Sequence, residues 1–166
     1  IDANKMAKMI ALLQMDARLY RWRFNLRTGA TKEEMIDPDR NLEFPTMNGS
    51  RTGRRTRFAY TMHQTMSHPD FTGISKHDTD NGVCESHSDG PGFSYSEAPF
   101  APRDKAATED DGYLVSFVWN GNERRSELQV FDATEIKRGP VARVVIPARV
   151  PMGFHATWMG AGQIAA

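Results

Sequence analysis

The sequence predicts an all-β protein made of β-propeller blades, preceded by a short N-terminal helical segment. Three observations carry that expectation. Residues 22–36, 75–87 and 128–146 each read as a β-rich run, then Asn or Asp, then a polar turn, then a second run. The turn-opening residues Asn25, Asp78 and Asp132 stand 53 and 54 residues apart. The tripeptides Glu43-Phe44-Pro45 and Glu97-Ala98-Pro99 keep the same beat, 54 residues apart. A period of that length, built from antiparallel strands, is the signature of a radial repeat. Residues at one phase of such a repeat share one radius, so Glu43 and Glu97 are both expected to face a central axis.

The elements follow in order. Met6, Met9, Ile10 and Leu13 recur at i, i+3, i+4 and i+7, which predicts a helix over residues 3–15. Its reading is a helix packed on one end of the propeller, with a methionine-rich channel wall as the sharper alternative. The helical period stops before Leu19, where a strand to Leu26, an Arg-Thr-Gly turn and a partner strand over 31–36 make the first hairpin. Residues 37–40 hold a proline and read as a connector. Glu43 begins the next inward segment, residues 50–57 form an arginine-rich loop, and Phe58–Met62 is strand-like. His68-Pro69-Asp70 reads as a turn, and Gly73–Lys76 opens the second hairpin. Residues 86–92 form a polar loop. Glu109-Asp110-Asp111-Gly112 is an acidic turn before the strand Tyr113–Trp119. Asn120-Gly121 predicts a two-residue hairpin turn. Further strands are expected at 127–131, 141–146 and 154–158. The expected organisation is a helical or loop segment over 1–16 and blade repeats over 17–166.

Bulk properties narrow the classes. The 166 residues suggest one domain by length, yet three blades are too few to close a propeller ring, which takes about four to eight. An open stack would leave unpaired sheet edges. Together with a first residue that is Ile rather than Met, this predicts the C-terminal portion of a longer protein. Hydrophobic residues are 39% and charged residues 25%, a globular composition. The formal net charge of +0 supplies no general field for nucleic acid or an anionic surface. The single cysteine, Cys84, excludes an internal disulfide and a Cys-rich zinc site, and fits a reducing compartment. No apolar run approaches the roughly 18 residues of a transmembrane helix.

Several residue groups carry candidate chemistry. Of the five histidines, none belongs to a local metal motif. His155 lies in the otherwise apolar run Pro151-Met152-Gly153-Phe154-His155-Ala156-Thr157-Trp158, where it reads either as a ligand or as a hydrogen-bonded core histidine. Glu43 and Glu97 each precede an apolar-proline step. A carboxylate buried there needs a partner. It would be a clasp between blades, a metal ligand, or an acceptor that orients a ligating imidazole. Arg51, Arg54, Arg55 and Arg57 read as a solvated loop, and the acidic turn lacks the spaced oxygen ligands of a calcium loop. His63, His68, His77 and His87 sit in polar stretches and are expected to be exposed. Cys84 lacks a neighbouring basic pair that would mark a reactive thiolate.

These segments together resemble the carotenoid cleavage oxygenase family, which includes lignostilbene dioxygenases and the retinal pigment epithelium isomerase. The matching strings are Glu43-Phe44-Pro45 with Arg57-Phe58-Ala59-Tyr60; Ser96-Glu97-Ala98-Pro99-Phe100-Ala101-Pro102-Arg103; Glu109-Asp110-Asp111-Gly112-Tyr113-Leu114-Val115-Ser116; Ser126-Glu127-Leu128 with Val130-Phe131-Asp132-Ala133; and Val150-Pro151 with Gly153-Phe154-His155. They stand in family order across most of residues 17–160. The departures are Ala98 and Ala101, where larger apolar residues are common, and an unusual loop over 87–95.

The resemblance implies a seven-bladed β-propeller with Fe(2+) on its axis, held by four histidines from different blades. It implies that His155 is the last of those ligands, the catalytic and metal-binding residue of this segment. The other three would lie upstream. Glu43 and Glu97 would accept hydrogen bonds from ligating rings. Phe44, Phe58, Phe100, Phe154 and Trp158 are candidates for an apolar substrate tunnel, with core packing as the alternative for each. The implied activity is oxidative cleavage of one conjugated C=C bond by O2, on a carotenoid, apocarotenoid or stilbene, giving two carbonyl products. Two other readings are an isomerohydrolase on the same iron site and a non-catalytic propeller that serves as an interaction scaffold. Expected partners are the apolar substrate, O2 and upstream blades of the same protein, with no nucleic acid. Cytoplasmic placement is expected, with peripheral membrane attachment left open.

Overall fold

The computed structural model describes residues 5–6, 16–65, 70–151, 153 and 155–164. The first hairpin is set by Asn25, whose side-chain oxygen accepts the N–H groups of Arg27 and Thr28 at 3.0 and 3.1 Å. That turn folds β1 (Leu19–Phe24) antiparallel onto β2 (Thr31–Asp37), with Gly29 supplying the left-handed φ of 73°. Asp37 then ends β2 by accepting the N–H groups of Asp39 and Arg40, so the connector expected at 37–40 is an Asx turn.

Next comes a four-stranded antiparallel meander of β3 (Leu42–Thr46), β4 (Phe58–Gln64), β5 (Phe71–Asp78) and β6 (Val83–His87). Its last turn is opened by Asp78, whose Oδ1 accepts from Asp80 and Asn81. The following sheet holds β7 (Phe93–Tyr95), β8 (Phe100–Pro102), β9 (Gly112–Asn120), β10 (Arg125–Asp132) and β11 (Pro140–Ile146). Both β7 and β8 pair with β9, at its two ends, so they act as one interrupted inner strand. Asp132 repeats the turn chemistry by accepting from the N–H and hydroxyl of Thr134. The described residues thus form two blade-like sheets and one hairpin, and the three turn openers occupy equivalent places.

Several expectations differ from the structure. The β9–β10 turn has four residues, because Asn120 pairs with Arg125 and is still in the ladder. Asn120 caps the turn by accepting from the Glu123 N–H, and Arg124 takes the left-handed φ of 53°. Gly121 serves close approach: its N–H donates to the Gly92 carbonyl at 2.8 Å, and a Cβ there would lie 2.8 Å from that oxygen. Residues 155–158 lie in no strand, and Phe154 falls outside the described residues. Of the helix expected at 3–15, only Lys5 and Met6 are described, and both are helical. His68 and most of its expected turn also fall outside. His77 is buried rather than exposed, while His63 and His87 are half-buried. Among the described residues, no helix is long and apolar enough to cross a membrane.

One core joins the two sheets. Tyr60, Met62, Phe71 and Ile74 from the first meet Tyr95, Phe100, Leu114, Val118, Phe131 and Ile136 from the second. Each such side chain contributes about 1.5–3 kcal/mol on burial, against about 0–1 kcal/mol for an exposed ion pair, so apolar packing is the main adhesive. The acidic turn before β9 adds a polar clasp. Glu109 Oε1 accepts the N–H groups of Arg57 and Phe58 at 2.7 and 2.9 Å. Asp110 holds the Lys76 ammonium at 2.6 Å, over the Phe58 ring.

A second clasp centres on Glu127, which is 1% exposed and accepts from Asn120, Arg125, Gln129 and Arg143. Burial raises its pKa, but these four donors together outweigh burial and bring it down from 4.5 to about 2. Asp89, whose carboxylate accepts from Arg143 and Gln129, is likewise held at about 2 against burial. Both groups bind protons more weakly folded than unfolded. Their contribution is therefore complete above about pH 4.5 and lost as pH falls toward 2. The melting temperature is expected to decline as pH falls from 7 to 5, because burial holds His77 neutral down to about 4 while the unfolded chain protonates it, and to fall more steeply below 4.5; Glu127→Gln should flatten the steep acid limb. An unchanged limb in that variant would remove Glu127 from the account.

Candidate functional site

The Glu-x-Pro tripeptides interrupt the inner strand of both sheets. In β3 the register shifts between Glu43 and Thr46, where Phe44 takes a left-handed φ of 49° and Pro45 offers no N–H. In the next sheet, Ser96–Pro99 separates β7 from β8. Ser96 N–H still donates to the Phe117 carbonyl and Pro99 still accepts from Val115 N–H, so the backbone leaves and rejoins the same neighbour. A bulge re-aims the side chain it carries. A left-handed phenylalanine costs about 1–3 kcal/mol and persists only where surroundings enforce it. The two bulges meet directly, since the Thr46 hydroxyl donates to the Ala98 carbonyl at 3.1 Å. Glu43 and Glu97 thus each stand at an interruption of an inner strand.

Glu97 is 9% exposed, yet its carboxylate has specific partners. Its Oε2 accepts the Ala156 N–H at 2.6 Å and lies 3.2 Å from His155 Nδ1. One carboxylate oxygen therefore holds both the main chain and the ring of the 155–156 segment. The His155 ring stands edge-on to Phe44, with centroids 5.2 Å apart, and Phe44 in turn packs on Phe71 at 5.0 Å. The His155 side chain is 76% exposed, so it projects away from the apolar core. In the tautomer that donates Nδ1–H to Glu97, the imidazole lone pair is on Nε2. An imidazole oriented in this way by a carboxylate has the chemistry of a metal ligand, so these residues fit an iron-binding role.

The structure brings together Glu97, His155 and Phe44 from three separate segments. Glu43 remains on the neighbouring bulge, half-buried, with its Oε2 accepting the Phe44 N–H at 3.3 Å. Phe100 is 5% exposed and stacks on Tyr60, so it is committed to the core. Phe58 packs against that core beneath the Lys76 ammonium and the Arg57 guanidinium. Trp158 is 47% exposed. Phe154 lies outside the described residues.

The remaining described histidines are used elsewhere: His63 bonds the Ser75 hydroxyl, His77 the Thr61 hydroxyl at 2.9 Å, and His87 lies 3.3 Å from Asp89. Two contributors escaped the sequence. Thr46 joins the bulges, and nothing local marks it. The Ala156 N–H is a main-chain donor, which side-chain patterns cannot reveal.

Comparison with known proteins places these features in context. A family model described as retinal pigment epithelial membrane protein matches residues 2–160. The carotenoid 9,10(9',10')-cleavage dioxygenase of Crocus sativus is 35% identical over 161 residues, covering 88% of this chain and 29% of that protein. The carotenoid cleavage oxygenase of Mycobacterium tuberculosis is 35% identical, covering 84% of this chain and 28% of that protein. The structure of cobalt-substituted Synechocystis ACO superposes with a TM-score of 0.77 at 25% identity, covering 86% of this chain and 30% of that one. The Glu150Asp mutant of the Synechocystis apocarotenoid oxygenase gives 0.75 at 26% identity, covering 83% and 29%. The chain therefore spans under a third of the length of these relatives.

Proposed function

The chain belongs to the retinal pigment epithelial membrane protein family, which includes the carotenoid cleavage oxygenases, and from that premise we propose that it contributes to an iron(II)-dependent dioxygenase. The reaction is cleavage of a conjugated C=C bond of a carotenoid, apocarotenoid or stilbene to two carbonyl products. The observation that carries this reading is the Glu97–His155 pair on the bulge of an inner strand.

In this reading His155 would hold the metal through the ring nitrogen opposite Glu97, together with histidines outside these residues. Iron(II) bound there would supply redox chemistry for O2-dependent cleavage of an electron-rich double bond. Glu97 keeps the proton on Nδ1, fixes the ring plane and raises the basicity of the opposite nitrogen. Its second bond, to the Ala156 N–H, limits how far the ring's backbone drifts. Phe44 packs T-shaped against the imidazole and, with Trp158, offers apolar surface suited to a polyene. Glu43 performs the Glu97 role for a ring contributed by another part of the protein.

The test is anaerobic loading of the complete protein with iron(II), followed by addition of O2 with a carotenoid, an apocarotenoid or a hydroxystilbene. Two carbonyl fragments are expected from at least one substrate, with none formed without O2. Isomerised or hydrolysed substrate without carbonyl fragments would replace the oxygenase reading with an isomerase, and binding of no metal would leave a scaffold.

A further inference from the structure

A second cluster of ligand atoms lies away from the Glu97–His155 pair. His77 and Cys84 face each other as a cross-strand pair of β5 and β6. Asp37, at the end of β2, reaches the same point, and one donor atom from each residue lies within 4.8 Å of the other two. Asp37 and His77 are 4% and 2% exposed and Cys84 is half-buried, and all three line a surface cavity of about 180 Å³. These donors come from the first hairpin and from the sheet that follows it, so anything they bind would join the two.

We propose that Asp37, His77 and Cys84 form a binding site for a borderline-soft divalent cation of the zinc class. The orientation of His77 supports it. Its Nε2 bonds the Thr61 hydroxyl at 2.9 Å, and its Nδ1 lies 3.8 Å from Asp37 Oδ2, beyond hydrogen-bond length. In the tautomer that donates Nε2–H to Thr61, a lone pair on Nδ1 faces the Asp37 carboxylate, an arrangement that a cation between them relieves. Hydrogen bonding of the second ring nitrogen is also how proteins orient a ligating histidine.

The spacing is close to what such an ion needs. Ligands at about 2.0–2.3 Å from tetrahedral zinc lie about 3.3–3.8 Å apart. Rotation of Cys84 about its side-chain bond is a small adjustment at a half-buried site. One thiolate, one imidazole and one carboxylate select zinc-like ions over magnesium or calcium, which prefer oxygen alone. Binding deprotonates the thiol and releases its proton to solvent, so two anionic ligands neutralise the ion. The cavity leaves a fourth position for water. Arg40 is the competing cation: its guanidinium lies 2.5 Å from Asp37 Oδ2, but its side chain is 40% exposed and can withdraw into solvent. Asp37 Oδ1 meanwhile stays on the Asp39 and Arg40 N–H groups.

Cobalt(II) is the probe. Cys84 is the single cysteine of this sequence; a thiolate-to-cobalt charge-transfer band that Cys84→Ser removes reports this site, and no histidine-only site contributes to it. A band saturating at one equivalent is expected, bleached by Zn2+, absent in Cys84→Ser and retained in His155→Ala. His77→Gln and Asp37→Asn should each weaken it at least about tenfold. No band from folded protein at excess cobalt overturns the site, as does undiminished affinity in His77→Gln. Should those buried variants fail to fold, the unmodified protein decides: Zn2+ is expected to slow alkylation of Cys84 at least about tenfold, and an unchanged rate overturns the proposal.

Discussion

Replacement of His155 by alanine is expected to leave the complete protein folded but without stoichiometric iron, and with substrate turnover at background. The first half of that result follows from exposure. A side chain 76% exposed contributes little to burial, and its edge contact with Phe44 is worth about 0.5–1.5 kcal/mol. The change in stability should therefore stay near 1 kcal/mol, a shift of a few degrees in melting temperature. The second half follows from ligand chemistry, since alanine offers no donor and the Glu97 carboxylate would face an empty position. Metal content by elemental analysis and melting by calorimetry separate the two effects. Full iron occupancy in the folded variant would end the assignment of His155 as a ligand. A large loss of stability with iron retained would instead return His155 to a structural role.

The outer hairpins were legible because their causes are local. Asn25, Asp78 and Asp132 each turn the chain with their own side-chain oxygens, and the flanking strands are long enough to show alternation. The inner strands were not. Phe93–Tyr95 and Phe100–Pro102 have three residues each, and the ladder that defines them is supplied by β9, not by their own pattern. The strand expected at 154–158 failed for the opposite reason. Its apolar composition suggested a ladder, whereas Ala156 N–H is satisfied by the Glu97 side chain. The polarity of neighbours also misled for His77. It follows residues of β5 that are themselves buried, including Ser75, whose hydroxyl meets Ser86 on the neighbouring strand, and Lys76, whose ammonium reaches the Thr134 carbonyl in the turn after β10 of the other sheet. The equal phase of Glu43 and Glu97 was legible from spacing. That the equality consists of matched bulges, joined through Thr46, needed the backbone.

Two substitutions at Glu97 should divide its roles. Glu97→Gln keeps an oxygen that can accept from Ala156 N–H while removing the negative charge beside the His155 ring. Glu97→Ala removes both bonds, at 2.6 and 3.2 Å, and frees the segment that carries the ligand. Loss of an acceptor behind a ligating imidazole typically costs about 10- to 100-fold in metal affinity. The glutamine variant is expected near the lower figure, through weaker basicity of the ring, and the alanine variant near the higher, through lost orientation as well. A clasp that serves only to fasten segments predicts a different pattern: both variants would lower the melting temperature, alanine more, with iron affinity per folded molecule unchanged. Titrating iron(II) into folded protein and reading affinity apart from stability therefore decides between them. Rescue of affinity by Glu97→Asp would be incomplete, because the shorter side chain cannot reach both Ala156 N–H and His155 Nδ1 from an unchanged bulge. A graded series from glutamate through glutamine to alanine in affinity, with little change in melting, is the outcome that ties this carboxylate to the metal rather than to the blades.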